Sequence, residues 1–158
     1  MIGNAATAVP EITHLAQIIQ LAVAPVFLLA GLGAFLNVCV GRLARIIDRA
    51  RMLEPLILNS RGAEHDRFIW EIRILDRRIK VVNMAITCTV TAAMLISAVV
   101  ILLFVAFLTN INFGTVIALL FIVAMIFTGS GFAIFLQETR IGTRAVRVRN
   151  AILEHEAE

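Results

Sequence analysis

Arg42, Arg45, Asp48, Arg49 and Arg51 form the densest polar set in the chain. Four guanidiniums around one carboxylate suggest three kinds of chemistry. They can pair with Asp48, which on a helix lies within reach of Arg45 and Arg51. They can meet a neighbouring copy of the chain. They can hold a phosphate, because a guanidinium offers a planar fork of donors to an anion. Ion pairing that fixes this segment, or an oligomer contact, is the favoured reading. Binding of anionic lipid headgroups by the arginines nearest the membrane comes next.

A second polar set, Asn37, Asn83, Thr87 and Thr91, lies in otherwise apolar runs. Facing inward in a ring of copies, it would line a wettable passage. The plainer reading is hydrogen bonding between helices for the asparagines, and bonds from the threonine hydroxyls to their own helix.

The remaining reactive types are scattered. His14, His65 and His155 fall in separate parts of the sequence and make no metal-binding spacing. Cys39 and Cys88 are the only cysteines and read as buried apolar thiols. There is no P-loop, dinucleotide glycine fingerprint, HExxH or GxSxG. No catalytic, cofactor-binding or metal residues are assigned, and the expectation is a protein that is not an enzyme.

The elements that carry these residues follow from hydropathy. The chain has 158 residues, 60% of them hydrophobic, against roughly 45–50% in soluble domains. Three apolar runs reach the ~20 residues that cross a bilayer. The expected architecture is a single all-α integral membrane domain over residues 1–158. Its spans lie at about 18–40, 81–108 and 114–136. Residues 11–20 are either an interfacial amphipathic segment or the outer end of the first span, and continuity is favoured.

Between the first two spans lie residues 41–80. Leu43, Ile46, Ile47, Ala50, Leu53, Leu56 and Ile57 recur three and four apart, as do Phe68, Ile69, Ile72, Leu75, Ile79 and Val82. Each set is one face of a helix. Asn59, Ser60, Arg61 and Gly62 supply a turn between them. The first two spans should therefore extend into a helical hairpin, with a kink or an end at Pro55. Residues 137–158 are expected to be a tail, with Arg140, Arg144 and Arg147 near headgroups. Thr128, Gly129, Ser130 and Gly131 should let helices approach closely or bend the third span.

Charge sets the expected topology. Of 14 basic residues, ten lie between Arg42 and Lys80 and four between Arg140 and Arg149. By the positive-inside rule the hairpin and the C-terminus are cytoplasmic and the N-terminus is outside. No basic residue precedes Arg42, so no cleaved signal peptide is expected. Acidic residues are interleaved with the basic ones, which argues against nucleic acid as a partner.

The run from Ile18 to Leu53, above all Pro25-Val26-Phe27-Leu28-Leu29 and Arg42, Arg45, Asp48, Arg49 and Arg51, resembles the start of the DUF2721 family. The resemblance covers about residues 11–150. It implies a small bacterial inner-membrane protein with three spans, and it implies no activity, cofactor or catalytic residue. The expected function is a self-associating structural or accessory membrane protein, in contact with membrane lipids. A homo-oligomeric ion or small-solute channel is the alternative.

Overall fold

The computed structural model of the protein describes residues 5–109 and 111–155, and the side chains of 16–109 and 111–140. The side chains of His14, Arg144, Arg147 and His155 lie outside the described residues. Three helices make up the chain: α1 (Ala5–Asn59), α2 (Ala63–Thr109) and α3 (Gly114–His155). Among the described residues there is no strand. Each helix contains a stretch long and apolar enough to cross a membrane.

All three helices outrun a bilayer. The 55 residues of α1 extend about 80 Å at 1.5 Å per residue, against a hydrocarbon core of ~30 Å. Residues 11–20 belong to α1 without a break. Pro55 neither ends α1 nor precedes a gap, since the helix runs on to Asn59. Its missing N–H costs one backbone bond close to a terminus, where the helix is about to stop. α3 passes through Gly142 and continues to His155, so the segment after residue 136 is helical.

The two connections are short and chemically specified. Gly62 takes a φ of 65°, a left-handed conformation that costs glycine little. The N–H and hydroxyl of Ser60 both donate to the Ile57 carbonyl, at 3.4 and 3.2 Å. They satisfy an acceptor that the end of α1 leaves open. Ahead of α3, the Asn112 Oδ1 accepts the Gly114 N–H at 3.1 Å.

The contacts fall into two units. One comprises residues 1–35 and 90–127, the other 36–89 and 128–158. In the first, Leu32, Ala92, Ile96 and Ala124 are buried together, with Leu28, Leu29 and Phe127 packed around them. In the second, Ile46, Leu53, Leu75 and Val82 form the buried seam of the hairpin, flanked by Leu43, Ala50, Phe68, Ile72 and Ile79. These are the residues whose spacing predicts the hairpin faces. Leu56 departs from that expectation and is exposed.

The buried positions keep one period along every helix. In α1 they include Pro25, Leu32, Cys39, Ile46 and Leu53, each seven residues after the last. In α2 they include Leu75, Val82, Thr89 and Ile96, and in α3 Ala124, Gly131 and Glu138. A seven-residue repeat holds a seam on one stripe of a helix, as in coiled coils. Large apolar side chains such as Phe27, Met94 and Ile126 point away from the seams. That is the arrangement lipid requires of a span's outer surface.

Gly131 marks the tightest approach. A Cβ there would stand 2.7 Å from the Thr89 Oγ1 and 3.3 Å from the Ala85 carbonyl oxygen. The Thr89 hydroxyl is fully buried and donates to that same carbonyl at 2.8 Å. A Cβ at Gly129 would meet nothing within 4 Å. Gly131→Val should therefore cost about 1–3 kcal/mol by overpacking, while Gly129→Ala should gain up to ~1 kcal/mol of helix propensity. Unfolding of the two variants in detergent micelles checks the contrast.

Candidate functional site

The charged centre of the molecule lies where the apolar runs end. In α3 the residues Thr128, Gly131, Phe135 and Glu138 recur three and four apart, so they share one face. That face turns inward, and Glu138 at its end is only 1% exposed. A buried carboxylate is costly unless cations and hydrogen bonds compensate for lost water. Arg42 of α1 and Arg78 of α2 provide both.

The clasp is fully specified at the carboxylate. The Arg42 Nη1 donates to Oε2 at 2.5 Å. The Arg78 Nε and Nη2 both donate to Oε1, at 3.0 and 2.8 Å. Each oxygen therefore has a cationic partner. The Arg42 guanidinium also lies over the Phe135 ring, 5.3 Å from its centroid, a cation–π contact that fixes its plane. Arg42 and Arg78 are equidistant in sequence from Ser60, so the antiparallel hairpin brings them level. One turn of α3 then suffices to present both Phe135 and Glu138.

A second pair lies further along the hairpin. The Arg49 Nε and Nη2 converge on the Glu71 Oε1 at 2.9 and 2.7 Å. This pair is largely exposed, so it contributes little to stability and more to the register of the two arms. Asp76 and Lys80, four residues apart on α2, form an i, i+4 pair at 2.7 Å, also exposed.

The sequence-predicted arginine set is thus divided. Arg42 reaches α3 and Arg49 reaches α2. Arg45, Asp48 and Arg51 are exposed, and among the described residues none of the three is in an ion pair. The carboxylates that engage Arg42 and Arg49 are Glu138 and Glu71, not Asp48. Of the polar set, Asn37, Asn83 and Thr87 are exposed and Thr91 is half-buried. Thr87 donates to the Asn83 carbonyl at 2.9 Å, the intrahelical bond expected for a threonine hydroxyl in a span. The fully buried threonine of this region is Thr89, one residue outside the set.

Glu138 and Arg78 escape a reading based on local charge density. Glu138 follows the third apolar run among the residues of a supposed tail. The available signal is register: seven residues separate Glu138 from Gly131, inside a patch already marked for close packing. Among the described residues no group of three or more His, Cys, Asp or Glu side chains could hold a metal ion. The site can bind and orient charge and can lock three helices together.

Removal of the shared carboxylate leaves two guanidiniums facing each other. Glu138→Ala should destabilise the protein by ~3 kcal/mol, the lower end of the range for breaking a buried pair, because both arginines keep partial access to solvent. Asp76→Asn at the exposed pair should cost under ~0.5 kcal/mol. Parallel unfolding curves in micelles measure both.

No curated protein and no solved structure matched the chain. The model of a family described as "Protein of unknown function (DUF2721)" matches residues 22–148, which include Arg42, Arg78 and Glu138. With most of its length covered, from the first span to well past the clasp, the chain belongs to the DUF2721 family.

Proposed function

We propose that this is a non-catalytic structural or accessory protein of the bacterial inner membrane that assembles with copies of itself. The basic residues of the hairpin and of the far end of α3 support a cytoplasmic position for both, with the α2–α3 connection outside. The site described above binds charge within the chain, and it contains no nucleophile paired with a base.

Asn37 carries the self-association reading. It lies on the exposed surface of α1, beside Val38 and Val40, which are exposed as well. Among the described residues its side-chain amide has no hydrogen-bond partner within the chain. Five residues of helix place it ~7 Å deeper than Arg42. Amide donors and acceptors toward the hydrocarbon core find little water, and a polar group of a second copy satisfies them. Asn83 on α2 is exposed with an equally unpartnered side-chain amide.

The alternative, a homo-oligomeric channel, draws support from Asn83 and Thr87. They lie four residues apart on an exposed face of α2. In a ring of copies that face would turn toward the axis.

Light scattering of the purified protein in a mild detergent tests the assembly. The wild type should form a defined oligomer, and Asn37→Leu should weaken it several-fold, in line with the ~1 kcal/mol that such an interhelical bond supplies. A wild type that stays monomeric at every concentration overturns the proposal. Steady conductance of the intact oligomer in planar bilayers would favour the channel reading, and a silent oligomer would rule it out.

A further inference from the structure

We infer that Arg42 and Arg78, held in place by Glu138, form a binding site for the phosphate of an anionic phospholipid headgroup. The inference rests on the bilayer level of the clasp and is independent of self-association.

Charge balance is the first observation. Two guanidiniums share one carboxylate, so the clasp keeps a net charge of plus one. Nearby charges do not cancel it. Glu71 is taken by Arg49 and Asp76 by Lys80. Asp48 points to solvent, as do Arg45 and Arg77.

Donor bookkeeping is the second. Both Glu138 oxygens are occupied, but neither arginine is saturated. Arg42 uses only Nη1, which leaves Nε and Nη2. Arg78 uses Nε and Nη2, which leaves Nη1. The two side chains are 31% and 29% exposed, so each reaches the surface in part. A phosphate carries several acceptor oxygens and suits the fork geometry of guanidinium.

Position is the third. Arg42 follows the first apolar run by two residues, and Arg78 precedes the second by three. Charged side chains at the ends of spans sit at headgroup level. Gly41, beside Arg42, carries no side chain, and a Cβ there would meet nothing within 4 Å. The helix surface next to Arg42 is therefore uncrowded. Glu138 acts as a positioning residue: it aims both guanidiniums while neutralising only one of them.

The test uses the full chain in a non-ionic detergent, with thermal unfolding followed as phosphatidylglycerol, phosphatidylcholine or inorganic phosphate is added. Phosphatidylglycerol should raise the midpoint in a concentration-dependent way, because a ligand of the folded state stabilises it. Phosphatidylcholine and inorganic phosphate should leave it nearly unchanged. Arg78→Gln should weaken the phosphatidylglycerol response about fivefold, the value of one basic residue near an anionic surface. Arg73→Gln, at an exposed hairpin position outside the clasp, should leave it intact. Glu138→Gln keeps the shape of the clasp and removes its anion, so it should retain or tighten the response even at a lower starting midpoint. That variant decides the matter should Arg78→Gln fail to fold. Equal responses to the two lipids, equal losses in Arg78→Gln and Arg73→Gln, or loss of the response in Glu138→Gln each overturn the site. A shift reproduced by inorganic phosphate assigns the site to the free anion and overturns the lipid.

Discussion

A carboxylate withdrawn from water at the edge of a bilayer must be neutralised by groups that are already in place. Glu138 imposes that condition, and much of the architecture on this side of the chain meets it. The hairpin must be antiparallel and in register for Arg42 and Arg78 to arrive level. α3 must run past its apolar stretch without turning away, or Glu138 would not reach them. The Phe135 ring must stand one turn earlier to fix the Arg42 plane. The first requirement constrains α1 and α2 and the other two constrain α3, and all are satisfied at one point.

The apolar seams complement this charged node in a different way. Lipid is as apolar as leucine, so burial of hydrocarbon gives little reason for spans to associate. Close approach and polar contacts must supply it. Gly131 lets backbone come near Thr89 and Ala85, and the clasp follows two turns later on the same face. Beyond the membrane the situation reverses. Along the charged hairpin, where water restores the hydrophobic effect, the seam is built from Ile46, Leu53 and Leu75 and runs on to Val82 at the start of the second apolar run.

This difference explains what could be read from the sequence. The hairpin faces follow from periodicity, because large apolar side chains mark a seam in water, while the Asn59–Gly62 turn follows from its residue types and the three spans from hydropathy. Within the spans the seam passes through Pro25, Thr89 and Gly131, and just past the third apolar run through Glu138, residues that hydropathy does not select. Asp48 attracts attention by its crowd of arginines, yet the arginines that matter face other helices. The pairs Arg42–Glu138 and Arg49–Glu71 join residues 96 and 22 apart in sequence, and such partners appear only once seams are aligned. Pro55 argues locally for a kink or a helix end, and the continuing helix overrides it.

The order of the three charged residues along the chain has a consequence for how the protein is made. Synthesis runs from the N-terminus, so Arg42 and Arg78 both exist before Glu138 does. A chain holding only α1 and α2 has both cations of the clasp and lacks the carboxylate that pairs with them. Like charges brought together repel. The emergence of α3 converts repulsion into attraction in a single step. α3 is thus the part that completes the clasp: the hairpin seam and the Arg49–Glu71 pair need only α1 and α2, while the Arg42 and Arg78 pairing waits for Glu138.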